Sequence, residues 1–189
     1  MSPKPMARPG GRSARVQASV HAAVRELEAE RGRAALTVPL IAARAGVTPS
    51  TVYRRWGDLQ ELLSDVAVER LRPEADPDDH GDLRADLTAW AEHFLEEMSS
   101  TPGRAYLRDA LLGTPESGNA SRCSDYAADQ VDLILGRAAE RGEEPLPGRE
   151  AVMDHVVAPL LYRILFRTEG LSPEYARGLA DAVLKDAGR

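Results

Sequence analysis

Between Thr37 and Leu62 the chain reads TVPLIAARAGVTPSTVYRRWGDLQEL, and this stretch restricts the fold more than any other. It holds two short helix-length runs and, between them, Gly46, a residue that can take a positive φ without steric cost. Thr37 is suited to cap the first run, with Pro39 tolerated in its first turn. Thr48 is placed to cap the second, with Pro49 at the first helical position. Ile41 and Ala42 fall on the inner side of the first helix, and Val52 and Trp56, four apart, on the inner side of the second. Ala45 is small where the helices must cross closely, and Val47 is set to plug the core beneath the turn. Two short helices joined by such a turn form a helix-turn-helix. The same spacing leaves Pro49, Ser50, Tyr53 and Arg54 outward, beside Thr48, Thr51 and Arg55. Small polar groups at a helix N-terminus, followed by Tyr and Arg, suit insertion into a DNA major groove.

The rest of the chain is predicted to be helical as well. Ala, Leu, Arg and Glu abound, and β-branched or aromatic residues never alternate over a strand length. Residues 1–12, rich in Pro, Gly and basic side chains, read as a flexible basic arm. A first helix is expected from a cap at Ser13 to Gly32, with Val16, Val20, Val24 and Leu27 on one face. Asp58 caps a fourth helix that Pro73 stops, and 73–82 is a polar linker. Five further helices are expected near 83–99, 102–112, 122–141, 149–169 and 173–187. The fold class is therefore all-α, with about nine helices. Its domains are the arm 1–12, a helix-turn-helix head 13–57 and a C-terminal body 58–189.

Charge divides along the same line. Residues 1–63 hold ten basic against five acidic side chains, a net +5, while the remainder holds fourteen against twenty-five, a net −11. The basic third can meet a polyanion that the acidic remainder would repel. No run of 18 apolar residues suggests a membrane span, and the basic start is not followed by the apolar stretch of a secretory signal. The one cysteine, Cys123, cannot staple a fold, so a cytoplasmic location is expected.

The helix-turn-helix resembles the DNA-binding domain of the tetracycline-repressor (TetR) family. The residues that carry the likeness are Thr37, Ile41-Ala42, Ala45-Gly46-Val47-Thr48, Thr51-Val52-Tyr53, the aromatic at 56 and Leu62, within about residues 13–63. The stretch 158–165, APLLYRIL, more weakly resembles the penultimate helix of one branch of the family. The resemblance implies that Thr37 contacts phosphate. It places Thr48, Pro49, Ser50 and Thr51 on the groove-facing first turn, and makes Tyr53 a phosphate-binding tyrosine. Arg54 and Arg55 then meet phosphate or base, and Trp56 stands structurally where phenylalanine is usual. One position departs: where the family commonly has a phosphate-directed lysine, this chain has Leu59. Arg54, Arg55 or the basic arm, with Arg8, Arg12 and Arg15, are the candidates to replace it, the arm through phosphate or the minor groove.

The resemblance further implies a ligand-responsive regulator, a repressor more often than an activator, that binds a palindromic double-stranded operator as a homodimer. A small apolar effector is expected against Trp90, Phe94 and Met98, with Tyr106 and Tyr126 offering hydroxyls. The same stripe also reads as ordinary core. Helix eight carries two apolar stripes, so it must be covered twice. Val157, Leu161 and Leu165, with Leu179 and Val183 of helix nine, are the expected dimer interface. No cofactor or metal is expected. Asp76, Asp78, Asp79, His80 and Asp82 match no cation-loop spacing and read as a solvated linker, and His93 and His155 as satisfied or exposed histidines. Two rival functions stay open. One is a DNA-binding regulator controlled by a protein partner with no small-molecule effector. The remote one is a helical enzyme, for which no nucleophile–base pair or metal set is present.

Overall fold

The computed structural model describes residues 11–188. Counting the continuous run 149–166 as one helix, the described residues form nine helices: α1 Arg12–Arg31, α2 Val38–Ala45, α3 Pro49–Trp56, α4 Leu59–Arg70, α5 Leu83–Ser99, α6 Thr101–Leu111, α7 Asn119–Glu140, α8 149–166 and α9 Pro173–Ala187. Short 3-10 turns lie at Arg33–Ala35 and Pro115–Ser117, and no strand occurs among the described residues. The protein is all-α. Residues 1–10 of the basic arm lie outside the described residues; Arg12 and Arg15 belong to α1.

Packing divides the chain into two compact units after Val66. This lies beyond the boundary at 57 read from the sequence, because Leu62, Leu63 and Val66 of α4 are buried in the N-terminal core. That core gathers Val20, Val24 and Leu27 of α1, Ile41 and Ala42 of α2, and Val52 and Trp56 of α3. The chain turns from α2 into α3 at Gly46 with φ 69° and ψ 29°, the left-handed conformation that glycine takes most easily. The Val47 N–H donates to the Ala42 carbonyl at 3.0 Å, which closes the end of α2. Thr37 caps α2 by accepting from the Leu40 N–H at 3.3 Å, and Asp58 caps α4 by accepting from Glu61 at 2.9 Å. Ser13 is not a cap: α1 begins at Arg12 behind Gly11, and Ser13 bonds elsewhere.

The second unit is built on α5, α7, α8 and α9. Leu87, Ile134, Leu160 and Ile164 are fully buried at its centre. The acidic stretch between α4 and α5 is the solvated linker read from the sequence, with Asp76, Asp78, Asp79, His80 and Asp82 exposed, but it is tied down within its unit. Arg141 donates to Asp79 at 3.0 Å, to Asp86 at 2.8 Å and to Glu143 at 2.7 Å. Asp86, buried, also accepts the His80 N–H at 2.6 Å, and Arg137 donates to the Pro77 carbonyl at 2.6 Å. Glu143 in turn accepts the Leu83 N–H at 2.9 Å; that bond and Arg141 hold its carboxyl below the usual range. The stretch is thereby strapped along α7.

Helix α8 is irregular. One turn of α-helix, Arg149–Val152, passes into a π-turn, Met153–Val157, before the α-helix Ala158–Phe166. Pro159 supplies the cause: it has no N–H for the preceding turn, and its ring crowds the carbonyl of His155, which the wider turn relieves. The helix stops at Phe166, short of the predicted end near Gly170.

Helices α5 and α6 meet at Gly103, in the first turn of α6. A methyl group there would collide with the Glu97 carbonyl oxygen and come within 3.0 Å of Met98 Cα. Both are backbone atoms at the end of α5 and cannot swing aside. Gly103→Ala is expected to destabilise the second unit by about 1–3 kcal/mol, as overpacking against backbone does. Gly136→Ala, in the exposed middle of α7 with open space around it, should instead stabilise by about 0.5–1 kcal/mol. Denaturant midpoints of the two variants check the opposite signs.

Candidate functional site

The recognition side of the first unit follows from the division of α3 into two faces. Val52 is 1% exposed and Trp56 is buried beneath it. Thr48, Pro49, Ser50, Tyr53, Arg54 and Arg55 are exposed and Thr51 is half-buried, with Thr37 exposed at the start of α2. The Thr48 hydroxyl does not cap α3. It lies 3.0 Å from the Ser50 hydroxyl and 2.9 Å from that of Thr51, so three hydroxyls are clustered at the positive end of α3. Arg54 forms no hydrogen bond or ion pair with any described residue. Arg55 is held: it donates to the Ser13 carbonyl and hydroxyl at 3.1 and 2.6 Å and to Gln17 at 2.6 Å, with its guanidinium 5.2 Å from the centre of the Trp56 ring. Arg12, Arg54 and Arg55 border one concave surface with Val47, Thr48 and Thr51. Arg44 is paired with Glu26 and Glu30 of α1. Leu59, where the resemblance leads one to expect lysine, packs half-buried against the core of this unit.

Behind this surface lies a polar centre that periodicity alone does not reveal. Asp65 of α4, 8% exposed, brings one carboxylate oxygen within 2.9 Å of His21 Nε2, 3.0 Å of Gln17 Nε2 and 2.9 Å of Trp56 Nε1. A signal for it exists in the chain: Gln17 and His21 stand four apart beside the apolar stripe of α1, and position 56 is an aromatic with an N–H.

The second unit contains a cavity of about 240 Å³. Its walls come from Leu71, from Phe94 and Met98 of α5, Leu107 and Ala110 of α6, Cys123, Tyr126 and Gln130 of α7, and Val157, Leu161 and Leu165 of α8. Three predicted ligand contacts, Phe94, Met98 and Tyr126, line it. Trp90 and Tyr106 do not. Trp90 is core: its ring packs on Phe94 with centroids 5.5 Å apart, and its N–H donates to Gln130 at 2.8 Å. Tyr106 lies beneath the guanidinium of Arg70 at 5.7 Å. Burial pushes the Cys123 thiol up to about 11, so it stays protonated at neutral pH.

Within one copy of the chain, the residues expected at a dimer interface are buried or half-buried. Val157 and Val183 are 3% exposed inside the unit's own core, and Leu161 and Leu165 are half-buried on the cavity wall; Leu179 is half-buried on α9. The apolar side chains that α8 leaves bare are Tyr162 and Phe166, 55% and 73% exposed, with ring centroids 5.5 Å apart. His93 and His155 are exposed. Among the described residues no group of His, Cys, Asp or Glu could hold a metal ion, and no helix is long and apolar enough to cross a membrane.

Comparison with known proteins extends the likeness over both units. The family model described as bacterial regulatory proteins, tetR family, matches residues 20–66, and that described as tetracyclin repressor-like, C-terminal domain, matches residues 77–183. An uncharacterized HTH-type transcriptional regulator of Mycobacterium tuberculosis is 28% identical over 160 residues, covering 82% of this chain and 79% of that protein. Among solved structures, the TetR family transcription regulator SCO0332 superposes with a TM-score of 0.68 at 28% identity, over 90% of this chain and 97% of that one. A TetR transcriptional regulator from Agrobacterium tumefaciens shares the fold, with a TM-score of 0.55 at 22% identity over 90% and 93% of the two chains. The head with its helix-turn-helix and the helical body are thus both accounted for by one family, and the chain belongs to the TetR family of DNA-binding transcriptional regulators.

Proposed function

We propose that the protein is a repressor that binds a palindromic operator as a homodimer and changes its DNA affinity when a small molecule occupies the body cavity. The observation that carries this reading is the course of α4. Leu62, Leu63 and Val66 belong to the core of the DNA-binding unit, whereas Ala67, Val68 and Leu71 belong to the core of the body, and Leu71 also lines the cavity. A ligand touching Leu71 therefore acts on the continuation of a helix that is part of the head. It shifts the equilibrium only if it prefers one position of that helix. A coupling of about 1–3 kcal/mol, roughly 5–150-fold in operator affinity, is typical of such a device. The presence of the cavity favours a small effector over control by a protein partner.

In this reading Thr37 and Tyr53 hold the phosphate backbone, and Thr48, Pro49, Ser50 and Thr51 approach the base edges. Arg54 and Arg12 supply the positive charge missing at Leu59, and Arg55 reaches phosphate only if it leaves Ser13 and Gln17. One recognition helix reads too few base pairs for useful specificity, so two copies act together, and the bare Tyr162 and Phe166 join α9 as the surface they share. Selection of bound duplexes from random DNA tests this. The expected product is an inverted repeat whose half-site centres are about one or two helical turns apart, in steps of about 34–36 Å. A short asymmetric site without a repeat overturns the dimeric reading.

A further inference from the structure

We propose that the body cavity takes a small organic cation, a compact arylalkyl ammonium ion, in preference to a neutral or anionic molecule of the same shape. This rests on the cavity being the effector site. The volume, about 240 Å³, lies below the range of about 300–1,000 Å³ usual for drug-sized ligands, so the occupant is of the size of one ring and a short chain. Phe94, Tyr126 and Met98 offer it aromatic faces and a polarizable thioether.

The polar groups then decide its charge. Gln130 is already engaged, accepting from Trp90 at 2.8 Å and donating to the Ala75 carbonyl at 3.3 Å. Cys123 is a neutral thiol. Among the described residues, no lysine or arginine lines the cavity. Among the described residues, the one acidic side chain on its wall is Glu97, three residues beyond Phe94 on the same side of α5. Its carboxylate forms no hydrogen bond or ion pair with any described residue, and it is exposed, so it stands at the mouth. The Tyr126 hydroxyl is likewise uncommitted among the described residues. An anion would meet no counter-charge here and one repelling carboxylate. A cation would keep its charged end near Glu97 and against the neighbouring ring of Phe94 or Tyr126, whose face attracts positive charge electrostatically, while its aryl body fills the apolar interior. The net −11 of residues 64–189 adds a field of the same sign.

Three probes of matched shape separate the charge from the cavity: 2-phenylethylammonium, 2-phenylethanol and phenylacetate, titrated into the full chain by calorimetry at fixed ionic strength. The ammonium ion is expected to bind about 3- to 30-fold more tightly than the alcohol, from one cation–π contact and one solvent-screened ion pair, and phenylacetate most weakly. Glu97→Gln should weaken the ammonium ion about two- to fivefold and leave the alcohol unchanged. Glu96→Gln, an equal loss of charge one residue away and off the cavity wall, should change neither. Tyr126→Ala should weaken both the ammonium ion and the alcohol. If the alcohol or phenylacetate binds as tightly as the ammonium ion, or if Glu97→Gln and Glu96→Gln behave alike, the assignment of charge is overturned while the cavity remains a ligand site. If none of the three binds, the compact arylalkyl cation is overturned, while an effector of other shape in the cavity is not.

Discussion

Replacing Tyr53 and Arg54 together by alanine is expected to weaken binding to the selected operator by about 30- to 20,000-fold while leaving the helix content of the protein unchanged. The size follows from two interactions of about 1–3 kcal/mol each, at tenfold per 1.4 kcal/mol. The structural neutrality follows from exposure. Tyr53 is 48% exposed, and Arg54 is exposed without a partner among the described residues, so truncating them opens no cavity and orphans no buried group. The salt dependence carries independent information. Removing a side chain that neutralises a phosphate should lower the slope of log affinity against log salt by about 1 per protomer, whereas removing one that meets a base edge should not. Fluorescence anisotropy on the operator at several salt concentrations, beside a circular dichroism spectrum, measures both. A folded double variant that binds as wild type would remove Tyr53 and Arg54 from the interface. Arg55→Ala is a useful contrast. Arg55 bonds Ser13 and Gln17 across to α1, so its loss should also loosen the head and lower its thermal midpoint, which the Tyr53 and Arg54 substitutions should not do.

The contrast between these arginines marks what a sequence can reveal. The features legible in advance depend on neighbours along the chain. The positive φ at Gly46, the caps at Thr37 and Asp58, and the inward Val52 and Trp56 are all set within one or two turns of the backbone. Ser172 likewise caps α9 by accepting from the Tyr175 N–H at 3.3 Å. The features that stay hidden depend on what lies opposite. Periodicity shows two apolar stripes on α8, but not that the body buries Val157 and turns Leu161 and Leu165, half-buried, onto the cavity wall, leaving Tyr162 and Phe166 bare. It turns Trp90 inward, yet whether an inward ring borders a void or a close-packed neighbour is decided by Phe94 and Gln130. Gly103 looks like any glycine near a proline until the α5 backbone is placed against it. Asp65 reads as an ordinary acidic residue of α4 until three donors from α1 and α3 converge on one of its oxygens.

That convergence makes Asp65 the position in the head where one substitution should do most harm. Asp65→Ala takes from the buried His21 and Trp56 N–H groups the carboxylate they share, and leaves Gln17 to find water at its half-exposed position. Each buried polar group stripped of its acceptor costs about 1–3 kcal/mol, and removing one member of a buried charged network typically costs about 3–5 kcal/mol in all. A unit of this length holds about as much in total, since folded domains hold about 0.05–0.15 kcal/mol per residue. Asp65→Ala should therefore melt the head at ordinary temperatures, or leave it marginal, while the body helices persist. Far-UV circular dichroism would show the partial loss, and the signal of Trp56, read in a Trp90→Phe background, would report the head alone. Asp65→Asn keeps one acceptor oxygen without the charge and should fall between, at about 1–2 kcal/mol. The decisive measurement is a double-mutant cycle with Trp56→Phe, followed by circular dichroism. Trp56→Phe removes one of the donors that Asp65→Ala orphans, so the two losses should add to less than their sum by about 1 kcal/mol or more. Full additivity, or an Asp65→Ala variant as stable as wild type, would mean that the carboxylate does not hold α1, α3 and α4 together, and the orientation of the recognition helix would have to be set by the apolar core alone.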